Sequence, residues 1–337
     1  MNAEYKLINQ ILKNFKRSVF HGNEFFSSDS EIIELAGKKY LITVDGYSDE
    51  DHFRIDDPLR LGKNLTACTL SDIFACGGRP VFFCNSLTAA HSWNDEYVNN
   101  LAKGIAEVLN ECGAGFIGGD MGFCDRWNFT GIAIGESEKI VTREGAEPGS
   151  SIYITGKIGS GNFEAASRLL EGGKGLEELF PNNPVSFPVR MKEAGLVSKF
   201  AKCCIDTSDG LFRSLKILSE INNTGFIINN IPWYGPAMDL TKILKLPVEI
   251  LIFGESGEYE LLFAVDEEKE KEMLKEAEAL KINITKIGEI TEYKHQLIKT
   301  KNREISTEDF DIWARDYCDH LVYIKALTDY IKIKIET

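Results

Sequence analysis

The stretch "LITVDGYSDEDHF", residues 41–53, decides how the chain is to be read. It opens as an apolar run able to pair into a sheet. It then places Asp45, Asp49, Glu50, Asp51 and His52 among its last nine positions. A buried strand that ends in carboxylates needs a reason, because an ionised carboxylate left alone away from water is strongly unfavourable.

The same design appears twice more downstream. "AGFIGGD", residues 114–120, is an apolar run, two glycines and Asp120. Glycines there let a backbone or ligand come close, although Gly-Gly-Asp is also an ordinary turn. "CIDTSDGL", residues 204–211, delivers Asp206, Ser208 and Asp209 just before a helical pattern, where Ser208 or Asp209 could serve simply as an N-cap. Between these stretches, a helix expected over 61–76 puts Leu61, Leu65, Cys68, Asp72 and Ala75 on one stripe, so Asp72 falls on the apolar side. It could be a cap for a neighbouring loop. Taken together, four element ends that present Asp, at Asp45, at Asp72, at Asp120 and in the stretch with Asp206 and Asp209, fit a shared Mg²⁺ site better than four coincidences, since Mg²⁺ takes a few carboxylates plus phosphate and water oxygens. "TGKIGSGN", residues 155–162, follows a strand and opens a helix, so its amides offer a possible anion cradle.

Composition narrows the function classes. The 337 residues allow two domains, and 43% hydrophobic with 27% charged residues is an ordinary globular balance. A formal net charge of -14 repels phosphate backbones, and no basic block offsets it, so nucleic acid is not an expected partner. A cation bridging to a phosphate ligand is. No basic-then-apolar leader and no bilayer-length apolar run is present, so the expected location is the cytoplasm with no membrane partner. The eight cysteines lack C-x-x-C spacing and read as reduced core thiols.

Along the chain, helical spacing marks 4–17, 61–76, a helix after Ser92 that stops at Gly113, 163–170, 211–221 and 267–280. Strands are expected at 39–45, 81–84, 115–118, 129–134, 151–155, 203–206, 226–231, 249–253 and 259–265. The alternation says α/β or α+β. Pro and Gly in "REGAEPGSS", residues 143–151, mark the boundary between domains at 1–145 and 146–337.

From Asp45 to Phe53 the chain resembles, position for position, the D-x-x-x-E-x-x-H-F segment of thiamine-monophosphate kinases, with Asp49 where that family has Glu. The resemblance continues through "LGKNLTACTLSDIFACGGRP", "GGD", "REGAEPGS", "YITGKIG", "FPVR", "IDTSDGL" and "GEYELLF" in the family's order. It covers residues 25–265, about seven tenths of the chain, and the ordered series is far more specific than any single motif.

This resemblance implies the two-domain α/β (α+β) fold of the aminoimidazole ribonucleotide synthetase superfamily. An N-terminal mixed sheet pairs with a second subunit to give a homodimer, and a C-terminal α/β domain packs against it. It implies direct transfer of the γ-phosphoryl group of ATP to thiamine monophosphate. Its implied metal ligands are Asp29, Asp45, Asp72, Asp120 and Asp209. Gly118, Gly119, Asp120, Arg143 and Lys63 fall to the nucleotide, Asp49, His52, Glu258, Tyr259 and Trp313 to the acceptor, and Asp209 with Ser208 to catalysis. The sister families fit less well. Selenophosphate synthetase would carry Cys or selenocysteine near its start, yet the first Cys here is Cys68. The hydrogenase-maturation protein ends in a functional Cys, and this chain ends "IKIKIET". Aminoimidazole ribonucleotide synthetase would show a Gly-rich, Lys-bearing stretch where "DGYSDED" stands.

Three departures matter. The family's G-D-D-A-A segment is here "SSDSE", residues 27–31, which keeps Asp29 and sets Glu31 nearby. Its E-D-Y-E-L is Gly257-Glu258-Tyr259-Glu260-Leu261. The tail "DFDIWARDYCDHL" only faintly matches the family's ending, with Trp313 and Tyr317 as candidate stacking residues. They leave two alternatives open, a related ATP-using enzyme with another small acceptor and a silent nucleotide-binding or scaffold protein.

Overall fold

The computed structural model describes residues 3–51, 53–166, 174–181, 184–292, 295–300 and 303–336. Its first half runs α1 (Ala3–Leu12), β1 (Glu31–Leu35), β2 (Lys38–Ser48), α2 (Pro58–Ala75), β3 (Arg79–Ala90), α3 (Asp95–Cys112), β4 (Gly115–Cys124) and β5 (Asn128–Glu136). The strands form one mixed sheet in the order β1-β2-β5-β3-β4, with only the β3–β4 pair parallel. Alternation along β2 sets the layering: Leu41, Thr43 and Tyr47 are buried under α2, while Val44 and Gly46 face out. Among the described residues that outer face is largely open, with Val44 and Phe82 exposed.

Helix α2 starts where Asp57 accepts the Arg60 N–H at 3.1 Å and Pro58 takes the first turn. It packs tightly on α3. A Cβ on Gly62 would come within 2.1 Å of the Leu101 carbonyl, and one on Gly104 within 2.1 Å of the Leu59 carbonyl. These two glycines therefore set the crossing distance.

The second half runs β6 (Ser151–Thr155), α4 (Ser160–Ala165), α5 (Lys174–Leu179), α6 (Met191–Phe200), β7 (Cys203–Asp206), α7 (Leu211–Asn222), β8 (Thr224–Ile228), α8 (Gly235–Ile243), α9 (Ile250–Phe253), β9 (Leu261–Val265), α10 (Glu267–Leu280), β10 (Ile284–Glu292), β11 (Gln296–Thr300), β12 (Arg303–Ser306) and α11 (His320–Glu336). Its seven strands order as β12-β11-β8-β10-β6-β9-β7. Strand β9 is buried on both faces. Leu261, Phe263 and Val265 join the core that holds α2 and α6, while Leu262 and Ala264 join the core of α7, α8, α9 and α11. Helix α2 is thus sandwiched between the two sheets, and one apolar core runs from the first sheet into the second.

The strand alternation and most helix positions match the sequence reading, with three corrections. Residues 249–253 hold the one-turn helix α9 instead of a strand, a short apolar run being unable to specify which. Strand β4 runs on to Cys124, so Gly118-Gly119-Asp120 lies inside a strand and not at its end. The glycines there absorb a bulge: the pairing jumps from Phe83–Phe116 to Asn85–Gly119, Gly118 has φ +129°, and a Cβ on Gly119 would meet the Asn85 carbonyl at 2.2 Å. The expected helix over 163–170 is described only as α4, and residues 167–173 lie outside the description. Strands β1 and β10 to β12 and helices α5, α6, α8 and α11 have no counterpart in the sequence reading. All eight cysteines are free; Cys124 and Cys318 are exposed, and the others are buried or half-buried.

Candidate active site

Three carboxylates from three elements meet where the two sheets face each other. Asp29 comes from the turn before β1, Asp72 from the last turn of α2 and Asp206 from the end of β7, and one ligand atom from each lies within 4.8 Å of the others. Each is fixed separately. Arg143 donates to Asp29 Oδ1 at 2.8 Å, the Thr43 hydroxyl donates to Asp72, and Ser208 Oγ donates to Asp206 Oδ1 at 2.8 Å. Asp29 Oδ2 and Asp206 Oδ2 are buried and, among the described residues, lack a well-formed hydrogen bond, the Ser71 hydroxyl being the neighbour that faces Asp206. Two orphaned oxygens of this kind are costly unless a cation takes them.

Electrostatics agree with that reading. Burial first, then the charges of Asp45, Asp206 and Asp29, hold the Asp72 carboxyl well above its usual range. Burial and then Asp29 push Asp206 up to about 7. Asp45, on the inward face of β2, accepts the Tyr47 hydroxyl at 3.1 Å, and burial still raises it to about 6. Asp72 also sits in the last turn of α2, where the helix dipole opposes negative charge and no basic residue compensates. The donors are hard oxygens, too few to close a cage, which suits Mg²⁺ with phosphate and water completing its shell.

Asp72 lies between two cavities. One, of about 470 Å³, is lined by Asp29, Glu31, Thr43 and Val44 beside β1 and β2. The other, of about 660 Å³, lies between the halves of the chain. Its lining carries Asp45, Asp51, Asp72, Asp209 and Glu255 together with apolar and aromatic side chains, among them Leu240, Leu251, Tyr317 and Tyr323. Such a mixed lining can receive both a charged group and a ring.

The structure brings together some of the expected site residues and separates others. Asp29 and Asp72 belong to the cluster, Asp45 lies beside it, and Ser208, Asp209 and Tyr259 line the larger cavity. Asp209 pairs with Arg213 at 3.5 Å. Asp120 is exposed on the edge strand β4, in register with Ser86, Thr130 and Gly46, the last on the outward face of β2. Gly118 and Gly119 share that strand. Lys63 pairs with Glu107 of α3, about two and a half helical turns before Asp72. Arg143 is engaged by Asp29. Asp49 pairs with Arg126 at 2.7 Å, and His52 lies outside the described residues.

Glu258 does not line the cavity. Its Oε1 accepts the Gly159 N–H at 2.8 Å, and burial pushes its carboxyl up to about 8. That contact places an acid in the glycine turn that the sequence offered as an anion cradle. Trp313 lies beneath Arg213, 5.0 Å from guanidinium to ring centroid. Asp206 is the residue the sequence reading passed over, taking Asp209 from the same stretch. The available signal was that Asp206 ends a four-residue strand buried throughout, where an N-cap has no place.

Comparison with known proteins accords with this geometry. The family described as "AIR synthase related protein, N-terminal domain" matches residues 27–136. A thiamine-monophosphate kinase of Pyrococcus horikoshii is 30% identical over 219 residues, covering 63% of this chain and 67% of that protein. One of Nitrosopumilus maritimus is 29% identical over 307 residues, covering 89% of this chain and 96% of that protein. The solved structure "AaThiL complexed with AMPPCP and TMP" shares the fold with a TM-score of 0.73 at 22% identity, over 88% of this chain and 93% of that one.

Proposed function

The chain belongs to the thiamine-monophosphate kinase family, and from that premise we propose that it transfers the γ-phosphoryl group of ATP in line to thiamine monophosphate, giving thiamine diphosphate and ADP. It is an ATP-dependent kinase. The observation that carries the site is the set of unmatched carboxylate oxygens on Asp29 and Asp206 beside Asp72, at the junction of the two cavities.

Asp29, Asp72 and Asp206 would hold Mg²⁺, with Asp45 and Asp209 nearby. When bound, Mg²⁺ neutralises charge on the transferring phosphoryl group. The chain's own residues do the positioning. The smaller cavity admits the nucleotide phosphates beside β2, and the larger one seats the acceptor with its phosphate toward Asp45 and Asp209 and its rings toward Tyr317 and Tyr323. Transfer of this kind needs alignment and charge neutralisation and no covalent enzyme intermediate.

The working form is a homodimer built on the first sheet. Phe116, Ile117, Met121 and Phe123 of the edge strand β4 are each more than half exposed, and Val44 and Phe82 add to the same open sheet. An uncovered apolar edge strand calls for a partner. Asp120, Gly118 and Gly119 lie on that strand, and the nucleotide role the resemblance gives them would then be exercised across the dimer. Residues 1–145 form the nucleotide-binding and dimerisation unit and 146–337 the second unit. The protein acts in the cytoplasm, without nucleic acid or membrane; no described helix is long and apolar enough to cross a membrane.

A second reading, another small phosphate acceptor in the same cavity, is favoured by one observation: Glu258 is turned inward to Gly159 and does not reach the cavity. An ADP-release assay with thiamine monophosphate against a panel of other small phosphorylated acceptors decides between them. Turnover on thiamine monophosphate at least tenfold above every competitor supports the first reading.

A further inference from the structure

The segment that joins β2 to α2 is tied to the other half of the protein by a buried ion pair. Arg54 Nε lies 2.9 Å from both carboxylate oxygens of Glu164, a terminal guanidinium nitrogen lies 2.7 Å from Oε2, and the Arg54 backbone N–H donates to Oε1 at 3.3 Å. The two side chains are only 10% and 2% exposed. Glu164 belongs to α4 and lines the larger cavity, as do Glu50, Asp51 and Phe53 of the tethered segment. Phe53 meets Tyr47 and Phe187 edge-on, at 5.4 and 5.7 Å between ring centroids. Arg126 holds the start of the segment through Asp49 and Glu50, and Asp57 caps α2 at its end.

A buried ion pair is a poor way to gain stability, because apolar side chains of similar volume serve as well or better. What a guanidinium fork does supply, here with Nε donating to both carboxylate oxygens and the terminal nitrogen in ion-pair contact only, is direction: it fixes distance and orientation together. Here the fork spans 110 positions of chain and joins the acidic segment to the cavity wall opposite.

We propose that Arg54 and Glu164 are positioning residues for the acceptor: their pair holds Glu50, Asp51 and Phe53 in the wall of the larger cavity and so sets how well the acceptor binds, leaving the nucleotide side untouched. The proposal rests on the reading that this cavity seats the acceptor. Neither residue touches the reacting atoms.

The test uses the full chain and three variants. Arg54→Met/Glu164→Leu replaces the pair with apolar groups and is the variant built to keep the fold. Arg54→Lys keeps the charge and loses the fork. Arg54→Glu/Glu164→Arg reverses the pair. Amide hydrogen exchange over residues 49–57 is measured on the ligand-free protein, alongside melting temperature and KM for thiamine monophosphate and for ATP.

In the apolar variant, melting stays at the wild-type value while exchange in the segment accelerates about tenfold or more. KM for thiamine monophosphate rises about tenfold and KM for ATP stays within about twofold, with Arg54→Lys intermediate and the reversed pair partly restored. A folded apolar variant with unchanged exchange and unchanged acceptor KM overturns the proposal. So does an equal rise in both KM values. If the wild type does not phosphorylate thiamine monophosphate, the acceptor reading fails, and the exchange measurement alone then decides whether the pair holds the segment.

Discussion

Replacing Asp72 with Asn removes one charge from the cluster while keeping its size and its capacity to accept from Thr43. Two unit charges at the 4.8 Å limit of the cluster repel by about 3.5 kcal/mol at an effective permittivity of about 20. Part of that repulsion is already relieved at neutral pH by protons, since burial and its acidic neighbours hold Asp72 itself well above its usual range and raise Asp206 to about 7 and Asp45 to about 6, so the metal-free fold carries the cost of protonating them. The metal-free Asp72→Asn protein is therefore expected to gain about 1 to 3 kcal/mol, a rise of a few degrees in melting temperature. Relief from the adverse dipole at the end of α2 adds in the same direction. Activity moves the other way and falls by about two orders of magnitude or more, as loss of a metal-binding charge does. The assay is differential scanning fluorimetry with and without millimolar Mg²⁺, paired with ADP release. Wild type gains stability from Mg²⁺ and the variant does not. A variant that keeps full turnover and still responds to Mg²⁺ would refute the cluster as a metal site and leave Asp72 a structural hydrogen-bond acceptor.

Glu258→Gln keeps the acceptor for Gly159 and removes a buried ionisable group. Because the folded-state value of Glu258 is raised from 4.5 to about 8, stability is lost in wild type as pH climbs between those values. The variant should match wild type near pH 5 and exceed it by on the order of a few kcal/mol near pH 8, read from urea midpoints at both values. Nucleotide affinity should drop about tenfold or more when Mg²⁺ is replaced by EDTA, because a surface of net charge -14 and a carboxylate cluster repel a triphosphate; equal affinity by calorimetry in both buffers contradicts the site. Sedimentation should give the mass of two chains, and Phe123→Asp on the exposed edge strand should shift it to one chain at micromolar concentration.

Legibility in the sequence followed the range of the interactions. Asp72 was readable because helical spacing is a local property: Leu61, Leu65 and Cys68 fix the stripe, and a carboxylate on it has to be explained. The tight crossing of α2 on α3 was not, because Gly62 and Gly104 look like ordinary helix glycines until the partner helix is in place. Asp120 was read at a strand end because two glycines usually break a strand. In the sheet they absorb a bulge against Asn85. Asp206 and Asp209 lie three residues apart, and only the burial of β7 says which one reaches Asp29 and Asp72. Glu258 is a further non-local case, since its partner Gly159 lies 99 positions away. The residues that resembled a known family were found as a set, and the partners that orient them, Thr43, Tyr47, Arg54 and Glu164, emerged only from packing.

The central claim is that this chain moves the terminal phosphoryl group of ATP onto thiamine monophosphate. It is tested most directly by ³¹P NMR on one sample holding the protein, Mg²⁺, ATP and thiamine monophosphate, followed over time. The expected spectra lose the γ-phosphate resonance of ATP and gain those of thiamine diphosphate and ADP in equal amounts, with no growth of inorganic phosphate and no reaction in EDTA. Release of inorganic phosphate with thiamine monophosphate left unchanged, or an inert mixture, would contradict it.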